Sequence, residues 1–286
     1  MTEFLLILLG IIVVMLLYCL SESLRFKTTE YIVEADAMNG KTMVLLSDLH
    51  CKTFGRANER LIRAVKEAGP DLIVISGDLI NGKNAKEFDY AYSFLDALKK
   101  LKVPVYYSFG NHELKITKYQ DQKAYTKYVS EVKKRCILIN NAFYKTDTYA
   151  MYGLVLPPEL YKGKIKTHHK SLKIRPYLGK PTDGEYTIMI AHDPSFADRY
   201  FHWGANLVLS GHLHGGIVRI PFVGGVISPR YSFFPKPDKG IYKHEGHTMI
   251  ISGGLGWHGI PFRFNNVPEI VKIKFTEVHN ESSGQT

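Results

Sequence analysis

Five short clusters of polar residues in this chain combine side chains that bind divalent cations with side chains that move protons. They are Asp48-Leu49-His50, Gly77-Asp78, Gly110-Asn111-His112-Glu113, Ala191-His192 and Gly211-His212-Leu213-His214-Gly215-Gly216. Carboxylate, carboxamide and imidazole suit first-row divalent ions such as manganese, iron or zinc. The glycines beside them let the backbone approach a ligand closely. His212 and His214 alone would be weak evidence, since His-x-His on a surface loop is commonly solvated. With Asp48, His50, Asp78, Asn111, His112 and His192 they make a set large enough for two ions. Two cations about 3.5–4 Å apart can clamp the attacking and leaving oxygens of a phosphoryl displacement, given a carboxylate shared between them. A histidine left over would protonate the leaving alkoxide, a task suited to a pKa near neutrality.

The clusters need strands to deliver them. Each follows an apolar run that reads as a buried strand: Thr42–Ser47, Asp71–Ser76, Val103–Ser108, Tyr186–Ala191 and Asn206–Ser210. Between the first three lie helical patterns. Asn58–Ala68 carries Leu61, Ile62 and Val65 on one stripe and is stopped by Gly69-Pro70, and Lys86–Leu101 carries Phe88, Tyr92, Leu95 and Leu98. This alternation predicts an α/β fold with a mainly parallel sheet covered by helices. Ligands then bind outside the carboxyl ends of the strands. Tyr119–Lys134 predicts another helix, and the short β-rich runs Cys136–Ile139, Phe143–Lys145, Tyr149–Val155, Thr248–Ser252, Phe262–Phe264 and Ile270–Ile273 predict a second sheet. Residues 157–184 break the pattern. Rich in Pro, Gly and Lys, with His168, His169 and Arg175, they read either as a basic lid or as a flexible loop. Residues 277–286 form a polar tail.

In order and content, the clusters resemble the five blocks of the calcineurin-like metallophosphoesterases, over about residues 42–214. Gly215-Gly216 with Arg219 and Pro221, and Ser252-Gly253-Gly254-Leu255-Gly256 before Arg263, resemble the membrane-associated bacterial branch. That branch includes phosphodiesterases related to UDP-2,3-diacylglucosamine hydrolases. The resemblance implies a four-layer α/β/β/α sandwich of two mixed sheets, with the catalytic domain over residues 42–276. It implies that Asp48, His50, Asp78 and His214 hold one ion, and that Asp78, Asn111, His192 and His212 hold the other, with Asp78 bridging. It also implies His112 as general acid, oriented by Glu113 where Asp is commoner, and a bridging hydroxide acidified by two cations as nucleophile. Arg219 would contact the phosphate or else pair with a carboxylate elsewhere in the fold. Tyr231, Phe233, Phe234, Trp257 and His258 would line an apolar cleft for an acyl chain or pack in the core. Cys51 would be a packing residue or an oxidisable thiol beside the site.

The N-terminus is different in kind. Phe4–Leu20 is an unbroken uncharged run, at the short end of the roughly 17–25 residues that span a bilayer. Glu3 is the only charged side chain before it, and Tyr18–Ser23 offers no small-residue cleavage site. An uncleaved single-pass anchor over residues 1–27 is therefore expected in place of a removed signal, followed by a linker or first strand over 28–41. Arg25 and Lys27 follow the run and no Lys or Arg precedes it, which puts the domain on the cytoplasmic side of the cell membrane. Cys19, Cys51 and Cys136 show no paired spacing, so no disulfide framework is expected. The net charge of +10 fits anionic head groups or a phosphorylated substrate. No nucleic-acid-binding signature accompanies it, and a nucleic-acid partner is not expected. The expected protein is a two-metal phosphodiesterase acting on a lipid- or envelope-related phosphodiester or diphosphate. A phosphomonoesterase acting on proteins or nucleotides is the alternative, and a catalytically silent metal-binding scaffold the third reading.

Overall fold

The computed structural model describes residues 2–161, 172–216, 218–220, 223–227, 234, 237–257 and 262–278. Seven strands precede residue 160: β1 (Lys27–Glu34), β2 (Thr42–Leu46), β3 (Leu72–Ser76), β4 (Val105–Ser108), β5 (Ile137–Leu138), β6 (Ala142–Lys145) and β7 (Tyr149–Leu154). Seven follow: β8 (Tyr186–Ala191), β9 (Leu207–Ser210), β10 (Val218–Ile220), β11 (Gly224–Ile227), β12 (Gly240–His244), β13 (His247–Ile251) and β14 (Glu269–Thr276). Helices α1 (Thr2–Leu24), α2 (Glu59–Glu67), α3 (Lys86–Lys99), α4 (Ile116–Tyr119) and α5 (Gln122–Lys133) lie in the first half of the chain. Asp121 caps α5, its side chain accepting the Ala124 N–H at 2.6 Å.

Two six-stranded mixed sheets form, in the orders β1-β14-β2-β3-β4-β5 and β12-β13-β9-β8-β7-β6. Within each, the central strands β2-β3-β4-β5 and β13-β9-β8-β7 are parallel. Alternation along β2 shows how the layers are built. Met43 and Leu45 point between the sheets, against Ile190, Leu209 and Ile250, while Val44 and Leu46 point at the helices, with Leu61, Phe94 and Leu98. A strand covered on both faces reads as a continuous apolar run, which is why Met43–Leu46 carries no polar residue. The outer face of the second sheet is covered by the short helix Ala197–Trp203 and by Leu172, Ile174 and Leu178. The four-layer α/β/β/α expectation is met.

Two strands lie in the other sheet from the one expected. Ile137–Leu138 pairs with β4 as the edge of the first sheet, and β14 enters that sheet between β1 and β2, parallel to β1 and antiparallel to β2. Its Val271, Ile273 and Phe275 join the inter-sheet core while Ile270 faces the helical layer, so β14 serves both layers as β2 does. Of the 157–184 segment, Tyr161, Leu172, Ile174 and Leu178 are buried against the second sheet, and 162–171, with His168 and His169, lie outside the described residues.

Helix α1 is 23 residues long, about 34 Å at ~1.5 Å per residue, and its apolar side chains from Phe4 to Leu17 are exposed. Only its end is covered: Cys19, Glu22 and Ser23 are buried.

Leu45 is fully buried between the sheets. Leu45→Ala should therefore cost about 2–5 kcal/mol, read as a lowered urea midpoint at unchanged slope for the full chain in detergent.

Candidate metal centre

All five clusters end strands of the parallel cores. Asp48, Asp78 and Asn111 follow β2, β3 and β4, and His192 and the His212–His214 pair follow β8 and β9. The two sheets thus aim their carboxyl ends at one point. The backbone there is held in an uncommon conformation. Asp48 (φ 53°), His50 (φ 48°), Asp78 (φ 53°), His212 (φ 69°) and His214 (φ 52°) all occupy the left-handed region. Each such residue costs about 1–3 kcal/mol and persists only where its surroundings over-determine it. Asp and His tolerate the region better than most side chains. Close approach does the rest. A Cβ on Gly110 would stand 2.8 Å from the Asp78 nitrogen, and one on Gly77 would stand 2.6 Å from both Gly110 N and His192 Nδ1.

Three side-chain groupings bring their ligand atoms within 4.8 Å of one another: Asp48–His50–His214, Asp78–His192–His212 and His50–Asp78–His112. Asp78 Oδ2 stands at the middle, 3.0 Å from His192 Nε2, 3.8 Å from His50 Nε2 and 3.9 Å from His112 Nε2. Asp48 Oδ1 lies 3.4 Å from His214 Nε2 and 3.8 Å from His192 Nε2. A carboxylate set between two groupings is the bridging geometry that a two-ion site requires. The donor set also fits metals atom by atom. His192 gives its Nδ1 hydrogen to the Ser76 carbonyl at 2.6 Å, which leaves Nε2, facing Asp78, as the nitrogen that takes a proton or a cation. Asn111 Oδ1 is buried with no hydrogen-bond partner among the described residues, a polar atom in need of a cation or water. In the third grouping, Lys115 Nζ lies 2.8 Å from His112 Nε2. His112 Nε2 therefore faces an amine as well as the Asp78 carboxylate.

The electrostatics ask for cations. Burial raises the Asp48 carboxyl to about 6, against the pull of His192, and raises Glu113 to about 7, with Asp78 adding to the rise. Burial opposes charge on His192, yet Asp78 and Asp48 outweigh it and lift the imidazole to about 10. Burial would likewise raise Asp78, but His192, His112 and His50 hold it well below the usual carboxylate range. Protons here stand in for positive charge that a divalent ion would supply.

Of the supporting groups, the sequence singled out Glu113 but not Tyr161, Asn266 or Lys52. Glu113 is fully buried, and its carboxylate accepts from the N–H groups of Asp78 (3.0 Å), Leu79 (2.7 Å) and Gly110 (2.8 Å) and from Tyr107 Oη (2.8 Å). What it orients is the Asp78 loop. Tyr161 sets its ring 5.5 Å from His212. Asn266 donates to the His214 and Gly216 carbonyls at 2.7 and 2.6 Å, and Arg263 Nη2 lies 3.3 Å from His214 Nδ1. Asn266 in turn donates its backbone N–H to Glu22 of α1 at 2.8 Å. Lys52, two residues beyond His50, places its buried ammonium on the Ser23 carbonyl at the end of α1 and, at 3.2 Å, on that of Leu255. A cation on the last carbonyls of a helix is favoured by the helix dipole. Arg219 pairs with Asp238 Oδ2 and the Gly215 carbonyl, both at 2.8 Å, the second of the two roles considered for it. Cys51 is half-buried against the helical core, with burial pushing its thiol up to about 12. Tyr231, Phe233 and His258 lie outside the described residues.

Two mixed sheets that direct carboxylate, carboxamide and imidazole groups from facing strand ends to one point define a metal-dependent phosphoester hydrolase. The chain belongs to the calcineurin-like phosphoesterase family, whose pattern matches residues 41–216, and whose members use two divalent metals. It is 25% identical over 258 residues to the Bacillus subtilis metallophosphoesterase YkuE, covering 85% of this chain and 83% of that one. It is 26% identical to a Danio rerio transmembrane protein with metallophosphoesterase domain, covering 83% of this chain and 54% of the relative. Among solved structures, TT1561 of Thermus thermophilus superposes with a TM-score of 0.47 and 14% identity over 75% of this chain and 90% of that one.

The buried protons give a signed prediction. Asp48, Glu113 and His192 all have folded pKa values above their usual ones. Their stabilisation is complete at low pH and is lost as pH rises through about 6, 7 and 10 respectively. Asp78 has the opposite sign, but its window lies in acid. Chelator-treated protein should therefore melt at a lower temperature at pH 8 than at pH 5, and added manganese should remove most of that loss. A melting temperature that rises with pH in the chelator-treated protein would contradict the assignment.

Proposed function

We propose that this protein is a membrane-anchored phosphodiesterase acting on a lipid- or envelope-related phosphodiester or diphosphate. Asp48, His50 and His214 would hold one divalent ion and Asn111, His192 and His212 the other, with Asp78 shared. Manganese, iron or zinc would suit these ligands. Bound there, the ions supply Lewis-acid charge and acidify water. The residues of the chain divide the remaining work. With Lys115 turned aside, His112 protonated at Nε2 gives that proton to the leaving oxygen, Lys115 adds positive charge nearby, and Glu113 fixes the loop that carries Asp78. Arg219, released from Asp238, would reach an outer phosphate oxygen.

The observation that carries the lipid reading is the join between α1 and the site. Thr2–Leu24 is long and apolar enough to cross a membrane. Its buried Glu22 is one residue removed from the metal ligand His214, through Asn266. A soluble substrate would not call for an anchor built into the ligand shell. Arg25 and Lys27 after the span favour a cytoplasmic domain.

Because Glu22 and Ser23 are buried in the domain, the test uses the full chain in detergent. With manganese it should hydrolyse bis(p-nitrophenyl) phosphate faster than p-nitrophenyl phosphate; the reverse preference would favour the monoesterase, and no hydrolysis with any divalent metal by folded protein would defeat the enzyme reading. His112→Ala should keep its bound metal yet lose about 10²–10⁴ in turnover on a diester with an alkyl leaving group, with a smaller loss on nitrophenyl esters. Equal losses on both would place the acid elsewhere.

A further inference from the structure

The docking of α1 fixes more than the anchor. Glu22, 2% exposed, accepts from Asn266 N at 2.8 Å and from Arg25 Nη2 at 2.7 Å. Lys52 holds the Ser23 carbonyl, and the ring of Tyr18 meets Phe264 edge-on at 5.6 Å. Bonded on these sides, the helix leaves the domain in one direction. The apolar run Phe4–Leu20 rises about 25 Å, slightly less than a hydrocarbon core of ~30 Å, so the whole run is needed to cross it and its domain end, at Tyr18 and Leu20, lies at the bilayer boundary. Tyrosine is enriched at that level. Phe264, against Tyr18, marks the same level on the domain.

Phe264 also carries the β10–β11 hairpin. Its carbonyl accepts the Arg219 N–H at 3.0 Å, and Val218 bridges to it as a parallel pair. On this hairpin Ile220 and Val223 are each 46% exposed, and Phe234, whose N–H donates to the Val226 carbonyl, is 56% exposed. Isolated apolar side chains on a surface are ordinary, but a group of them on an element joined to an anchoring helix is a contact surface. The hairpin follows directly on His214-Gly215-Gly216, and Arg219 bonds the Gly215 carbonyl. Ile220 and Val223, together with Arg219, Asp238, Lys239 and Tyr242, line a cleft of about 390 Å³. A cleft lined by cationic and polar groups beside exposed apolar ones suits a phosphate-bearing head group whose chains stay outside.

We propose that the β10–β11 hairpin is a second membrane contact, with Ile220 and Val223 in the bilayer surface beside α1, so that the metal centre opens at the level of the lipid head groups. The occupant is lipid, because the surface continues the face from which the span departs. The substrate then reaches the ligands as a bilayer-resident phosphoester, moving laterally into the cleft. This rests on the reading of α1 as a span, and the test separates the two.

Full-length chain carries the photo-reactive residue benzoylphenylalanine in place of Ile220, Val223, Ile12 or Lys123, in nanodiscs of equal parts phosphatidylethanolamine and phosphatidylglycerol. Irradiation should give lipid adducts at 220, 223 and 12 and none at 123, on the exposed side of α5. Adducts at 12 without adducts at 220 and 223 overturn the hairpin contact and leave the span standing. No adduct at 12 removes the span and the hairpin proposal with it. The unsubstituted chain gives an independent reading. A lipid paramagnetically labelled at its head group should broaden the Ile220 and Val223 methyl signals, and sharp signals there with Leu20 broadened would overturn the proposal.

Discussion

Two carboxylates, Asp48 and Asp78, are buried side by side where the sheets meet, and the cost of keeping them there shapes the protein. Removing such charges from water is unfavourable by several kcal/mol each even after relaxation. The two sheets offset it together: the first brings both carboxylates with His50 and His112, while the second brings His192, His212 and His214. The inter-sheet core is what holds one set against the other. The left-handed backbone at five ligand positions and the bare Cα atoms of Gly77 and Gly110 are the local cost of that convergence. A site assembled this way gains its stability from the cations it binds, since binding to the folded state alone draws the equilibrium toward it.

Around this centre, buried polar groups work as spacers and not as free charges. Glu113 satisfies the N–H groups of the Asp78 loop, and Arg263 spans the Gly253, Gly254 and Gly256 carbonyls, where burial lowers its guanidinium to about 10. Lys52, brought down by burial to about 7, seals the gap between α1 and the Leu255 carbonyl while its ammonium faces the rings of Phe54 and Trp257. Such networks are valuable when every member is partnered and expensive when one is removed.

Much of this was legible in the sequence because it is local. Each ligand cluster sits immediately after an apolar run, so strand, direction and chemistry are read together, and all the ligands expected from these clusters lie at the facing strand ends. What escaped reading depends on distant partners. Ile270–Ile273 has the same alternation whichever sheet it joins, and only its pairing with Met43 and Tyr31 decides the matter. Glu22 looks like a solvated charge at the end of a span, and Asn266 like a turn residue. Their bond joins positions 244 apart in the chain, and no periodicity encodes it. Lys115 could have been noticed, since it lies three residues beyond His112, yet lysine near a helix start is ordinary on a basic surface.

The bond between Glu22 and Asn266 also orders events in time. The apolar helix is made well before Asn266 and the neighbouring β14, which must slide between β1 and β2. The contacts around His214 are therefore closed only after the segment carrying Asn266 has been made and has met α1. Until that contact forms, the strands that carry the other clusters can be in place while the support of His214 is still missing.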